Sequence, residues 1–377
     1  MESLKLGFFC WESLHAVRLG GLANAATHLA EALSRDHEVH FFTRGDLPDR
    51  EIAGVTYHYC QPEGSDIVEY CRSMSRQMVE GFGTVGGGFD YLHFHDWHTV
   101  PALRALRAEN TIFSFHSTEF GRHGNTVGTE QVYREITAIE RDGAHLADQV
   151  ITVSGVLRDE VVSLYGIPRE KCEVVPNGVI PREYRRTVDV EQVKREYGVP
   201  AGAPLIFFIG RLMHQKGPDL LLDGVPTVLE EYPDAHILVA GEGMMLASLQ
   251  LRVRGLPVRF LGPISDAEYV RLLNSADLVV IPSRNEPFGL VLLEAWSASR
   301  AVVATNVGGL SENIDHLVDG VKVAVSPAAI AQGINRVIGD PSRLRALGTE
   351  GRRKIETRFR WDAIAHQLAG VYRGIGS

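Results

Sequence analysis

Pro282-Ser283-Arg284-Asn285-Glu286-Pro287-Phe288-Gly289-Leu290-Val291-Leu292-Leu293-Glu294 follows directly on the apolar run Asp277-Leu278-Val279-Val280-Ile281. That run is short, rich in β-branched residues and free of polar alternation, the pattern of a parallel strand covered on both faces. Beyond it, Leu290, Leu293, Ala295 and Trp296 read as the apolar residues of a helix. Ligands of open α/β sheets bind outside the carboxyl ends of such strands. Two carboxylates, Glu286 and Glu294, are thereby placed at a ligand-binding edge. Eight helical steps of about 1.5 Å each would separate them by roughly 12 Å along the axis. A glycosidase pair needs roughly 5–9.5 Å. The longer spacing suits two hydroxyl-rich ends of one extended ligand, such as a nucleotide sugar. The same residues would also make a helix start with an acidic first turn and one exposed glutamate.

Outward from this stretch, strand-like and helix-like runs alternate along the whole chain, the signature of parallel sheets wrapped by helices. In the first half the pattern predicts strands at 4–9, 38–43, 55–59, 91–95, 111–116, 149–153 and 173–175. In the second half it predicts strands at 204–209, 235–240, 258–261, 278–281, 301–304 and 321–325. A helix over 22–34 carries Leu22, Ala25, Ala26, Leu29, Ala30 and Leu33 at helical spacing. Residues 176–203, with Pro176, Gly178, Pro181, Pro200 and Gly202, read as a linker whose apolar stripe is limited to Val190, Val193 and Tyr197. Ile364, Leu368 and Tyr372 give the last segment an amphipathic helix. The expected division is 1–180, 181–360 and a terminal helix 361–377.

A chain of 377 residues exceeds one comfortable core. A net charge of −9 argues against a nucleic-acid partner and gives no general attraction to anionic lipid. No apolar run approaches the ~20 residues of a membrane span. The run Leu6–Trp11 lacks a basic flank and meets Glu12, so it does not read as a signal peptide. Cys10, Cys60, Cys71 and Cys172 are scattered without a C-x-x-C, which reads as reduced thiols in a cytoplasmic protein.

Several further elements stand at predicted strand ends. Gly20-Gly21 separates strand 4–9 from helix 22–34, as a phosphate-approaching loop or as a plain flexible turn. Arg211 and Lys216-Gly217 follow strand 204–209. Two cations there would neutralise a departing pyrophosphate, or would be solvated surface charges. His95-Asp96-Trp97-His98 ends strand 91–95 and His116 ends strand 111–116. His116 reads as a ligand contact or as a core histidine, and spacing gives no metal-ligand motif. Glu119 and Arg122 lie in a polar loop after His116 that would face a substrate or form a structured turn. The basic residues Arg343–Arg360 read as a solvated helix face.

Taken in order, Gly20-Gly21-Leu22, His95–His98, Ser114–Glu119, Gly210-Arg211 with Gln215-Lys216-Gly217, and Glu286-x7-Glu294 resemble the retaining glycosyltransferases of family 4, especially the glycogen-synthase-like members. The resemblance runs the length of the chain. It implies a GT-B fold: two doubly wound α/β (Rossmann-like) domains facing a cleft, with the terminal helix crossing back to the first. It implies retaining, metal-independent hexosyl transfer, with a nucleoside diphosphate sugar as co-substrate and no cofactor. Glucosyl would come from ADP-glucose or UDP-glucose, with GDP sugars also open, and the partner would be a glucan or other sugar acceptor.

Residue by residue, the resemblance places Glu286, His116, Arg211 and Lys216 in catalysis. It places Arg18, Gly20, Gly21, Arg211, Lys216, Gly241, Phe288, Gly289, Leu290 and Glu294 on the donor, with Glu294 on its ribose. Relatives often carry Lys where this chain has Arg18, a planar bidentate cation whose role can differ. Gly308-Gly309-Leu310 resembles another backbone element near the phosphates. Asp96, His98, Glu119 and Arg122 become acceptor candidates. Rival readings are a family-4 transferase with a small or glycolipid acceptor, a nucleotide-sugar epimerase and a non-catalytic nucleotide-sugar sensor.

Overall fold

The computed structural model describes residues 2–107, 110–126 and 128–375. The chain forms two compact units, Met1–Gly178 with Trp361–Ser377, and Val179–Arg360.

In the first unit eight strands form one sheet: β1 (Lys5–Phe9), β2 (Glu38–Arg44), β3 (Arg50–Ile52), β4 (Val55–Cys60), β5 (Tyr91–His95), β6 (Thr111–Phe115), β7 (Gln149–Thr152) and β8 (Cys172–Val174). Their order is β3-β4-β2-β1-β5-β6-β7-β8. Every pair is parallel except β3 with β4. The chain leaves β1 in one direction and returns at β5 on its other side, so the loops after β1 and β5 flank a topological switch point. The core is aromatic: Phe9 stacks between Phe42 (4.8 Å) and Phe94 (4.5 Å), one ring from each of three adjacent strands. Helix Trp361–Gly374 packs on helix Gly21–Leu33 of this unit. Tyr372 brings its hydroxyl to 2.7 Å from His93 Nδ1.

The second unit holds β9 (Leu205–Ile209), β10 (His236–Ala240), β11 (Val258–Gly262), β12 (Leu278–Ile281), β13 (Ala301–Thr305) and β14 (Val321–Val323) in the order β11-β10-β9-β12-β13-β14, all parallel. Here the switch point lies between β9 and β12, which pair through Leu278 with Ile206 and Val279 with Phe207. The residues of β12 and β13 are buried throughout, because helices cover both faces of the sheet.

Strand β3 has no counterpart among the predicted strands. It is a three-residue, largely exposed antiparallel edge turned back at Ala53-Gly54, without the apolar run that marks the others. The segment 176–203 contains helices Pro181–Tyr184 and Val190–Glu196. Lys194 is 4% exposed, and its Nζ donates to Asp277 Oδ2 (2.9 Å) and the Ala203 carbonyl (2.8 Å). Most of this stretch is therefore built into the second unit instead of hanging as a tether. No helix among the described residues is long and apolar enough to cross a membrane, and the four cysteines are free and buried.

Candidate active site

In the second unit the loops after β9 and β12 meet. The Arg284 N–H donates to the Gln215 carbonyl at 2.8 Å, tying one loop to the other. The Arg284 guanidinium then grips Asp219 through two bonds of 2.8 and 2.7 Å. Burial pushes the Asp219 carboxyl upward, but these bonds and the Arg284 charge hold it below the usual carboxylate range. On this frame Lys216 Nζ lies 2.7 Å from Glu286 Oε2, which also accepts the Ser283 hydroxyl at 3.0 Å. The two side chains keep 24% and 12% exposure, so the pair is reachable from solvent. Arg211 is exposed, and its guanidinium has no partner among the described residues.

The backbone around Glu286 is equally constrained. The Gly309 N–H donates to the Glu286 carbonyl at 2.8 Å. Gly308 adopts φ +47°, and a Cβ there would stand 2.0 Å from that same carbonyl oxygen. Only glycine allows this approach. Gly308→Ala is therefore expected to push Glu286 out of place: melting temperature falls by several degrees and turnover falls about tenfold or more, checked by thermal melts and steady-state kinetics. Helix Leu290–Ser297 follows, capped by Gly289, and the N–H groups of Phe288, Gly289 and Leu290 have no hydrogen-bond partner among the described residues. Glu294, on that helix, accepts the hydroxyls of Tyr269 (2.6 Å) and Tyr184 (3.2 Å). Gly241 lets the end of β10 approach the loop after β9: at φ +122° its added Cβ would meet the Gly210 carbonyl oxygen at 2.0 Å.

In the first unit the loop after β1 is organised by Glu12, 3% exposed, whose Oε2 accepts the N–H groups of Leu19 (2.6 Å) and Gly20 (3.2 Å). Burial pushes the Glu12 carboxyl up. Gly20 is extended at φ −170°, and a Cβ there would meet nothing within 4 Å. Its backbone would accept other residues, and its surroundings are open. Arg18 is exposed on the same loop, and Gly21, also exposed, opens helix Gly21–Leu33.

After β5 and β6 the histidines gather. His95 Nδ1 is 3.0 Å from His116 Nε2, and His93 Nε2 is 2.6 Å from the Ser114 hydroxyl. Asp96, held at φ +55°, accepts the His116 N–H at 2.8 Å. His98 is stacked against Trp11 (3.9 Å) and Trp97 (4.2 Å). Glu119 and Arg122 form an ion pair at 2.8 Å, and Arg122 also reaches Glu140 (2.6 Å) and the Ser117 hydroxyl (2.6 Å). Among the described residues no group of three or more His, Cys, Asp or Glu is disposed to hold a metal ion.

Burial lowers the pKa of His93 to about 3 and those of His95 and His98 well below the usual imidazole range. The unfolded chain takes up these protons near pH 6.5, while the folded unit refuses them. Stability is thus full above about pH 6.5 and is lost as pH falls below it, for His93 by about 1.4 kcal/mol per pH unit down to about pH 3, with His95 and His98 acting in the same direction. Urea melts at pH 7 and 5 are expected to show this slope, and His93→Gln to flatten it by one proton.

Two family profiles match the chain: "Glycosyltransferase Family 4" over residues 19–183 and "Glycosyl transferases group 1" over residues 189–354. An uncharacterized glycosyltransferase of Methanocaldococcus jannaschii is 36% identical, covering 98% of this chain and 98% of its own. The chain is a family-4 glycosyltransferase. The transferase is also similar to glycogen synthase of Mycobacterium tuberculosis, at 28% identity over 96% of this chain and 92% of that protein. Its fold matches that of sucrose-phosphate synthase from Thermosynechococcus elongatus, with a TM-score of 0.80, 23% identity and 98% of each chain covered. The two doubly wound sheets are those of the GT-B fold.

At this site the transferase departs from the sequence reading at the start of the helix. Its helix begins at Leu290, after Gly289 at φ +100°, and Glu286 lies outside it. Only the last four of the eight steps to Glu294 are helical, so the all-helical count behind the 12 Å spacing does not apply. Of the residues named from sequence, Glu286 and Lys216 come together as a pair, Asp96 and His116 as another, and Glu119 and Arg122 as a third. Ser283, Glu12, Tyr184 and Tyr269 were not singled out. Ser283 stands inside the decisive motif and was within reach of sequence reading, whereas the two tyrosines carry no local signal.

Proposed function

We propose that this glycosyltransferase moves a glucosyl group from a nucleoside diphosphate sugar to a glucan, with retention of configuration and without a metal ion. The observation that carries the reading is the Lys216–Glu286 pair at the β9/β12 switch point, 2.7 Å apart and open to solvent. A carboxylate beside a cation offers acceptors for sugar hydroxyls and positive charge for the diphosphate leaving that sugar. Arg211 adds a second cation, and the N–H groups of Phe288, Gly289 and Leu290 add neutral donors for the same oxygens. Glu294 accepts the ribose hydroxyls. In the step, the bond from the anomeric carbon to the diphosphate oxygen breaks and one from that carbon to the acceptor oxygen forms on the same face. The acceptor proton passes to the departing phosphate oxygen.

The test is release of nucleoside diphosphate from ADP-, UDP- and GDP-sugars in EDTA, with and without glycogen or maltooligosaccharides. Glucan-dependent release from one glucose donor is the expected result. Release that only a small or lipid-linked acceptor stimulates overturns the glucan assignment. Donor binding with no release for any acceptor overturns catalysis.

A further inference from the structure

Glu294 is held from both ends. Tyr269, on helix Asp266–Ser275, donates its hydroxyl to Oε2 at 2.6 Å, and Tyr184, the last residue of helix Pro181–Tyr184, donates to Oε1 at 3.2 Å. Tyr269 and Glu294 are each 9% exposed. The two phenol rings meet edge to face, with centroids 6.2 Å apart and planes at 72°. The helix that carries Tyr269 also anchors the segment that carries Tyr184: Asn274 Nδ2 donates to the Tyr184 carbonyl at 2.8 Å, and Asn274 Oδ1 accepts the Arg186 N–H at 3.3 Å. One helix therefore fixes both phenols. Burial, and then the neighbouring Glu294 charge, keep the Tyr269 hydroxyl protonated far above its usual pKa, so it remains a donor.

A carboxylate has roughly four acceptor sites. One phenol on each oxygen fixes the plane of the group. A fixed plane matters most to a ligand that must meet both oxygens at once, as a vicinal diol does. We propose that Tyr269 and Tyr184 are positioning residues for the donor's ribose, orienting the Glu294 carboxylate so that it receives the 2′ and 3′ hydroxyls together. This rests on the assignment of Glu294 to the ribose, and the two can fail separately.

The experiment measures binding of ADP, UDP and GDP, and of their 2′,3′-dideoxy counterparts, to the intact wild type, Tyr269→Phe and Tyr184→Phe by calorimetry. Phe keeps each ring and removes only the donor. The wild type is expected to prefer the ribose form of its nucleotide by about a hundredfold, since a site built for hydroxyls rejects a ligand lacking them. Tyr269→Phe is expected to cut that preference about tenfold and Tyr184→Phe about threefold, because hydrogen bonds to a charged group are the stronger kind and the 2.6 Å bond is the shorter of the two. Dideoxy binding should stay unchanged. A preference that persists in full in both variants overturns the inference and leaves Glu294 on the ribose. No preference in the wild type overturns the ribose assignment, and the inference with it. Equal loss of ribose and dideoxy forms gives the tyrosines a purely structural role and overturns the positioning.

Discussion

Glu286→Ala lowers donor turnover by about 10³-fold while the nucleoside diphosphate binds at least as well as to the wild type. On the proposed placement of Glu286 on the sugar, the size follows from losing a group whose contacts would strengthen as the sugar gains positive charge, an interaction realised in the transition state. The direction of the binding effect follows from the geometry. In the wild type Lys216 Nζ is engaged by Glu286 Oε2 at 2.7 Å. Removing the carboxylate leaves the ammonium without its anion and removes a negative charge from beside the diphosphate. Alanine does not disturb the backbone, because the Glu286 carbonyl still accepts the Gly309 N–H and Gly308 keeps its close approach. Single-turnover kinetics and calorimetry with the nucleoside diphosphate separate the two effects. Turnover near the wild-type value sinks the placement of Glu286 on the sugar.

The parallel strands are legible because each is an apolar run with no need to alternate, and β12 and β13, buried on both faces, are the clearest. Strand β3 is not, since three exposed residues at a sheet edge have nothing to bury. The same contrast holds at the site. Lys216 and Glu286 each stand at the end of a readable strand, and the order β9 next to β12 makes them neighbours although 70 residues separate them. Tyr184 and Tyr269 reach Glu294 across 110 and 25 residues from a four-residue helix and a ten-residue helix, neither marked by any motif. The onset of the helix after Glu286 was misplaced because Gly289 at φ +100° is itself the cap, and the acidic residue ahead of it looks like a first turn. Glu119 and Arg122 show a related limit: their i,i+3 spacing is visible, but the buried Glu140 that joins them stands 18 residues beyond Arg122, on helix Gln131–Leu146.

On the role proposed for Lys216, Lys216→Ala is expected to weaken nucleoside diphosphate binding about tenfold and to lower turnover about a hundredfold, because the ammonium would stabilise both the bound diphosphate and the charge that grows on it as it leaves. A further consequence has a sign that distinguishes a phosphate ligand from a mere partner of Glu286. In Lys216→Ala the carboxylate of Glu286, 12% exposed, keeps the Ser283 hydroxyl but loses its cation. It then faces the incoming diphosphate as an unbalanced like charge. Removing Glu286 as well takes that repulsion away, so the double variant should bind nucleoside diphosphate more tightly than Lys216→Ala alone, although it catalyses no better. The expected order of affinity is Glu286→Ala at or above wild type, then the double variant, then Lys216→Ala. A double-mutant cycle in calorimetry reads this coupling directly. If Lys216 served only to neutralise Glu286, the double variant and Glu286→Ala would bind alike, and Lys216 would leave the phosphate site.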